Sequence, residues 1–313
     1  MDALCFGSII VDHRRRADAG AGDEPLRIVE RAVDLSVGGV PILAAGMKEL
    51  GLDVGLMGCV GRDIAGYGLK AYLAGEIGLD VEGVRMIDAP TSSSFIRLTS
   101  EQRWVDHTPG AAAELDGGED ELALVADRRP ALMAIGYAGL LPRLDADGGA
   151  GMARWIRAVR HLGTIVALDT HTVPPYAMLE EPVPVADVFV CNREEAAGIT
   201  GLVGGTPEQV LAGIWRKYPQ ADPARPRLMG VAMPEGVQLA LGRGESFASR
   251  WTLNPHYGTF APADLTGAGD RFRAGLYAEI LRHRDAFAAG TLDLARAALA
   301  GHDAACRYLR RTG

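Results

Sequence analysis

The feature of this chain that most restricts its fold is an alternation between two hydrophobic periods. Seven short apolar runs, LCFGSIIV, VGLMGCV, LMAIGYA, TIVALD, DVFVC, RLMGVAM and VQLAL, read as strands. Helical spacing fills much of the rest: YGLKAYLAGEIG, GMARWIRAVRHLG, REEAAGITG, PEQVLAGIWRKY, and two further helices starting near Asp270 and Leu292. Strands this apolar have no polar face, so both faces of their sheet must be covered, and the helices supply the cover and the parallel crossovers. The expected fold is α/β, a Rossmann-like three-layer sandwich with a mostly parallel central sheet. Sheets of this kind bind ligands beyond the carboxyl ends of their strands.

Two stretches break the alternation. Residues 12–38 are polar and rich in Gly and Arg, and residues 90–109 hold β-branched and aromatic runs on either side of a turn at SEQ. Neither has the period of a helix that could cover the sheet. Unstructured loops of such length are uncommon in compact domains, and the β-branched content of the second argues for strands. Both are read as strands of a small lid inserted in the α/β core, and residues 1–313 as a single domain. The stretch DGGEDE at 116–121 is read as a surface loop.

Composition narrows the partners. The net charge of −8 argues against nucleic acid, whose phosphates select basic surfaces. Lysine is confined to Lys48, Lys70 and Lys217, none beside a Gly-rich loop, so a lysine-centred phosphate site is not expected. No apolar run approaches the ~20 residues of a membrane span. The N-terminus MDALCFGSIIVD has an acid at position 2 and no basic segment, so it reads as a core strand and not a leader, and the expected location is cytoplasmic. Cys5, Cys59, Cys191 and Cys306 are far apart and read as buried free thiols. The seven His form no metal-binding spacing, and the absence of G-x-G-x-x-G argues against a dinucleotide oxidoreductase.

The stretch DLTGAGDRFRAG, residues 264–275, carries the chemistry. Phe272, Leu276 and Ile280 recur every four residues and mark one apolar helix face. Gly267, Ala268 and Gly269 stand where that helix begins. The first amides of a helix lack intrahelical partners and its dipole makes that end positive, so small residues there leave room for an anion. Thr266 or Asp264 would serve as an ordinary cap. Asp270, in the first turn, would repel an anion unless it has another task, and accepting a proton from a hydroxyl that attacks phosphorus is such a task. The helix N-terminus is expected to keep it ionised near neutral pH. On pattern alone, a tight strand-to-helix turn explains the glycines equally well.

The same residues resemble the C-terminal signature of the ribokinase-like, or PfkB, carbohydrate kinases: Asp264, Thr266, Gly267, Ala268, Gly269, Asp270, Phe272, Ala274 and Gly275 match. GSIIVD at 7–12, Gly38-Gly39 opening a helix, LGLDVGLMGCVGRDIAG at 50–66, Pro90-Thr91, Gly110-Ala111 and Asn192–Glu195 in CNREEA match in the family's order. The resemblance covers nearly the whole chain. It implies a kinase using ATP and Mg2+, with a monovalent cation as an optional addition, and a sugar or nucleoside as acceptor. It implies Asp270 as base, Gly267, Ala268 and Gly269 as anion hole, and Asp12, Gly38 and Gly39 as the substrate site. Asn192 and Glu195 would hold the magnesium through water; Asp264, Thr266 and Gly236 would belong to the nucleotide site. A homodimer through the lid would cover the edges of a small exposed sheet.

Departures from the family pattern fall on both the substrate and the nucleotide side. GGVPILAAG has no Asn after the glycine pair, and the nucleotide segment is reduced to VAMPEGVQL, where only Gly236 is clear. Arg271 replaces a small residue and is read as solvated, with a substrate anion as its alternative partner. His171, in LDTHTVPP, is read as a hydrogen-bonding residue lining the site. A nucleoside kinase, with Phe95, Ile96 and Trp104 as an apolar lid surface, and a non-catalytic binding relative stand as alternatives.

Overall fold

The apolar run at the N-terminus forms two strands in two different sheets. In the computed structural model, which describes residues 1–16, 34–98, 103–171, 176–261 and 265–312, β1 is Ala3–Gly7 and β2 is Ile9–Arg16. Ser8 lies between them, its N–H on the Gly136 carbonyl at 3.3 Å and its carbonyl accepting from Val40 at 3.0 Å. These bonds fix the chain to the main sheet on one side of the break and release it into the lid on the other.

The remaining elements follow in order. They are β3 (Asp34–Gly39), α1 (Val40–Glu49), β4 (Val54–Gly61), α2 (Ile64–Gly75) and β5 (Asp80–Ile87), then the lid strands β6 (Ser92–Leu98) and β7 (Arg103–Thr108). Next come α3 (Glu119–Arg128), β8 (Leu132–Ala138), α4 (Pro142–His161), β9 (Ile165–Thr170), β10 (Val188–Asn192), α5 (Arg193–Thr200) and α6 (Pro207–Lys217). The chain closes with β11 (Arg227–Met233), β12 (Gly236–Arg243), β13 (Ser246–Leu253), α7 (Ala268–Arg282), α8 (Arg284–Ala289) and α9 (Leu294–Thr312).

The main sheet runs β13-β12-β11-β10-β9-β8-β1-β4-β5, parallel from β5 to β11 and antiparallel beyond. One core, with Met152, Trp155 and Ile214, packs α3–α6 on one face. The other, with Leu43, Leu73, Phe272 and Leu276, packs α1, α2, α7 and α9 on the opposite face. The three-layer expectation holds. Two strands were not anticipated, β5 and β13. Both are edges, and β13 alternates exposed with half-buried residues, so neither carries a continuous apolar run. The DGGEDE loop is corrected: α3 begins inside it at Glu119, where three acids in the first turn complement the helix dipole.

The lid is a second sheet, ordered β3-β2-β6-β7. It starts at Ile9 and not at residue 12. Its register pairs Asp12 with Ser94 and Ser94 with His107, setting those side chains on one face; Phe95 and Trp104 alternate onto the other. Among the described residues no helix is long and apolar enough to cross a membrane. All four cysteines are buried and free.

Candidate active site

Beyond the C-terminal ends of β8–β11 lies a cleft of about 320 Å³, closed on its far side by the lid. It adjoins the point between β1 and β8 where the strand order reverses, the usual ligand position in such sheets. The start of α7 forms one wall. Gly267 is its N-cap, at φ 82° and without a side-chain cap bond. That left-handed conformation suits glycine, and a Cβ there would press on Tyr308 and Ile42 at 3.0 and 3.1 Å. The Ala268 N–H donates to the Leu265 carbonyl at 3.1 Å, and the first intrahelical bond runs from Arg271 to the Gly267 carbonyl at 3.0 Å. Among the described residues the Gly269 amide is thus a helix-start donor left for an anion, while the Asp270 amide bonds its own carboxylate, and both residues line the cleft.

Asp270 is 8% exposed, and its Oδ1 accepts from the Tyr137 hydroxyl at 2.6 Å. Burial pushes its carboxyl above the usual range; the Arg273 charge and the Tyr137 hydrogen bond pull the other way without cancelling the effect. Desolvation thus acts against the helix N-terminus, which favours the charged form. Beneath Asp270 lies a second buried acid, Asp169, at the end of β9. It takes an ion pair from Arg273 Nε at 3.1 Å and a hydrogen bond from the Tyr277 hydroxyl. Burial raises it to about 6. Arg273 is desolvated too, but the two acids beside it outweigh that and raise its pKa, so it stays charged.

The lid supplies Asp12, 5% exposed, with Arg14 Nη2 at 3.9 Å from its Oδ2. Gly38 is required behind it, since a Cβ there would lie 2.5 Å from the Asp12 carboxylate. Gly39, at φ 78°, turns the chain from β3 into α1 with no room for a side chain: a Cβ would stand 2.1 Å from the Ser8 carbonyl. On the cleft face of the lid, Ser94 Oγ and His107 Nδ1 are 3.1 Å apart. Burial, and then the neighbouring His171, lowers the His107 pKa.

Asn192 and Glu195 form a capping box at the start of α5. The Asn192 Oδ1 accepts from the Glu195 N–H at 2.8 Å, and the Glu195 Oε2 accepts from the Asn192 N–H at 2.9 Å. Both line the cleft. One oxygen of this 5%-exposed carboxylate is committed to its own helix. Among the described residues no group of three or more His, Cys, Asp or Glu could hold a metal directly.

The cleft brings together Asp12, Gly39, Asn192, Glu195, Thr266, Gly267, Gly269 and Asp270. Gly38 stands behind Asp12, and Ala268 has its amide turned to Leu265. Gly236 lies at the β11–β12 turn against Trp251 and Thr252, outside the cleft lining. Asp264 is outside the described residues. His171 lines the cleft, its ring 5.4 Å from that of Tyr137. Arg271 is corrected: it is buried, neither solvated nor turned to a ligand, with Nη1 2.9 Å from Glu49 and its guanidinium 4.7 Å from the Tyr308 ring centroid. Of the three apolar lid residues, Ile96 lines the cleft, while Phe95 and Trp104 are on the outer face. Tyr137, Asp169 and Arg273 were not anticipated. Arg273 carried a signal, standing three residues beyond Asp270 on the same helix face.

Residues 2–216 match the family model described as pfkB family carbohydrate kinase. The match ends before Gly267–Asp270. No curated protein sequence matches the chain. Among solved structures, an Arabidopsis thaliana ribokinase complexed with ribose and ATP superposes with a TM-score of 0.70 at 19% identity, covering 99% of this chain and 98% of that one. A Xylella fastidiosa fructokinase with bound ATP gives 0.72 at 20%, covering 97% and 89%. A Giardia lamblia ribokinase gives 0.73 at 17%, covering 97% and 90%.

Proposed function

Since the chain belongs to the pfkB family of carbohydrate kinases, we propose that it moves the γ-phosphoryl group of ATP to a hydroxyl or hydroxymethyl group of a sugar or sugar-like molecule. The observation that carries this reading is the position of Asp270. It is a buried carboxylate at an uncapped helix start, next to the exposed Gly269 and in one cleft with the lid's Asp12.

In this reading Asp12 accepts hydrogen bonds from acceptor hydroxyls, with Gly38 and Gly39 shaping the backbone around it. The attacking oxygen bonds to the γ-phosphorus, the bond to the bridging oxygen of ADP breaks, and the hydroxyl proton passes to Asp270. A loose transition state asks for little basicity, and a carboxyl whose proton affinity burial has raised supplies more than an ordinary one. The Gly267–Gly269 turn is the anion hole in this reading, with the Gly269 amide as its donor. Tyr137 orients the base through its hydroxyl. Two structural neighbours hold ATP, one of them together with ribose, which supports ATP as donor and a sugar as acceptor. Glu195 and Asn192 would hold magnesium through water, and the ion would neutralise phosphate charge there. We infer a cytoplasmic homodimer, the location from the four free cysteines and the assembly from the exposed outer face of the lid.

The test is ADP release with ATP and magnesium across a panel of sugars and nucleosides. Asp270→Asn should fall by about 10²–10⁴-fold in kcat. Undiminished turnover in Asp270→Asn would remove its role as base. No release with any acceptor would favour a non-catalytic binding protein.

A further inference from the structure

Resting on the kinase reading, we propose that Arg273 is a further catalytic residue, its Nη1 hydrogen-bonding an oxygen of the phosphoryl group in transfer beside the Gly269 amide. Two of the three guanidinium nitrogens are anchored behind the cleft. Nε pairs with Asp169 Oδ1 at 3.1 Å, and Nη2 donates to the Val190 carbonyl at 3.0 Å. The third, Nη1, stands at the anion site: among the described residues, beyond Gly269's chain neighbours and the helix backbone, it is the atom that a Cβ on Gly269 would meet, at 3.3 Å. Arg273 and Gly269 both line the cleft.

Asp270 does not account for Nη1. Its Oδ1 is 4.0 Å away, beyond hydrogen-bond reach, and already accepts from Tyr137. An oxygen held between the Gly269 amide and Asp270 would come within reach of Nη1. A counter-ion for Asp169 alone would be complete with Nε and Nη2.

Charge changes during the reaction point the same way. Before transfer, the guanidinium faces two carboxylates. When the acceptor proton moves to Asp270, that carboxyl becomes neutral. Arg273 keeps Asp169 as its buried partner and acts with less opposition on the negative charge of the phosphoryl oxygens. Its orientation is already fixed, so the stabilisation requires no reorganisation at the moment of reaction. A planar fork with two nitrogens held and one presented is a task suited to arginine.

The experiment is calorimetric titration of ADP and magnesium, with and without fluoroaluminate, a mimic of the phosphoryl group in flight. In the wild type fluoroaluminate should tighten ADP binding. In Arg273→Gln that tightening should shrink by at least about tenfold, while ADP alone binds within about threefold of wild type. Equal tightening in the variant, or none in the wild type, overturns the proposal. If Arg273→Gln does not fold, Arg273→Lys keeps a charge opposite Asp169 on a single nitrogen; it should lose the tightening too, and retention overturns the proposal. In turnover the variant should lose kcat with the sugar KM unchanged, a split that a merely structural ion pair would not give. The two readings fail separately: wild type that binds ADP–fluoroaluminate but releases no ADP with any sugar refutes the sugar acceptor and leaves the arginine contact standing.

Discussion

The proton affinity of Asp270 is set by its neighbours, and Tyr137 is the one a single atom can remove. A hydrogen bond donated to a carboxylate favours the charged form and lowers the pKa. Tyr137→Phe deletes the 2.6 Å bond to Oδ1 and leaves the ring in place. The carboxyl must be ionised to accept a proton, so the acidic limb of kcat against pH should move to higher pH. The loss should be largest on the acidic side of the profile and small on its alkaline side; an unmoved limb would show that Tyr137 does not set the base. Such a residue is hidden in sequence. Tyr137 lies in LMAIGYA, an apolar run that reads as core, and its partner is 133 positions away. Asp169 is hidden likewise at the end of TIVALD, its role defined by Arg273 and Tyr277 from a distant helix. Asp270 was legible because the glycines beside it in the chain mark a position where backbone must approach closely, whereas Asp12, with no glycine next to it, was legible only through the family resemblance.

Helix α7 is held by its neighbours on nearly every side. Residues Asp270–Ile280 are buried between α1 and α9, so the face expected from Phe272, Leu276 and Ile280 is only part of its contact. Arg271 joins the three helices: it pairs with Glu49 of α1 at 2.9 Å and covers the Tyr308 ring of α9 at 4.7 Å. Arg271→Ala should destabilise by about 1–3 kcal/mol, mostly through lost packing of a buried stem. Denaturant melts should show the loss, while kcat and the sugar KM stay within about twofold because no Arg271 atom lines the cleft. A collapse of kcat with unchanged stability would place Arg271 in the site instead. An arginine directly after the acid resembles a surface residue, because successive helix positions diverge by about 100°. Only the arrival of α9, thirty-odd residues later, makes that side of the helix interior. The edge strands β5 and β13 escaped for the converse reason: a strand with a single neighbour carries less of the apolar signal by which strands are read.

At the scale of the molecule, alternation of strand and helix made the layers legible, since a chain with that order has few ways to cover both sheet faces. What it left open was where the lid begins, because LCFGSIIV is apolar throughout and only the bonds of Ser8 divide it. The same lid bears on assembly. Its cleft face is used, yet its outer face leaves Leu35 68%, Phe95 54% and Trp104 41% exposed, and β3 and β7 are sheet edges. A second lid of the same kind would cover both the apolar face and an edge. Sedimentation of the wild type should give twice the chain mass, and Phe95→Glu with Trp104→Glu should give the chain mass; a wild-type monomer at micromolar concentration would refute the pairing. Such a pairing should also tune the site. Phe95 stacks on His13 at 4.5 Å, and His13 follows Asp12 on β2. Loosening that outer face loosens the strand holding the acceptor, so the double variant should raise the sugar KM and leave kcat near wild type. A fall in kcat with unchanged KM would separate the lid's outer face from acceptor binding.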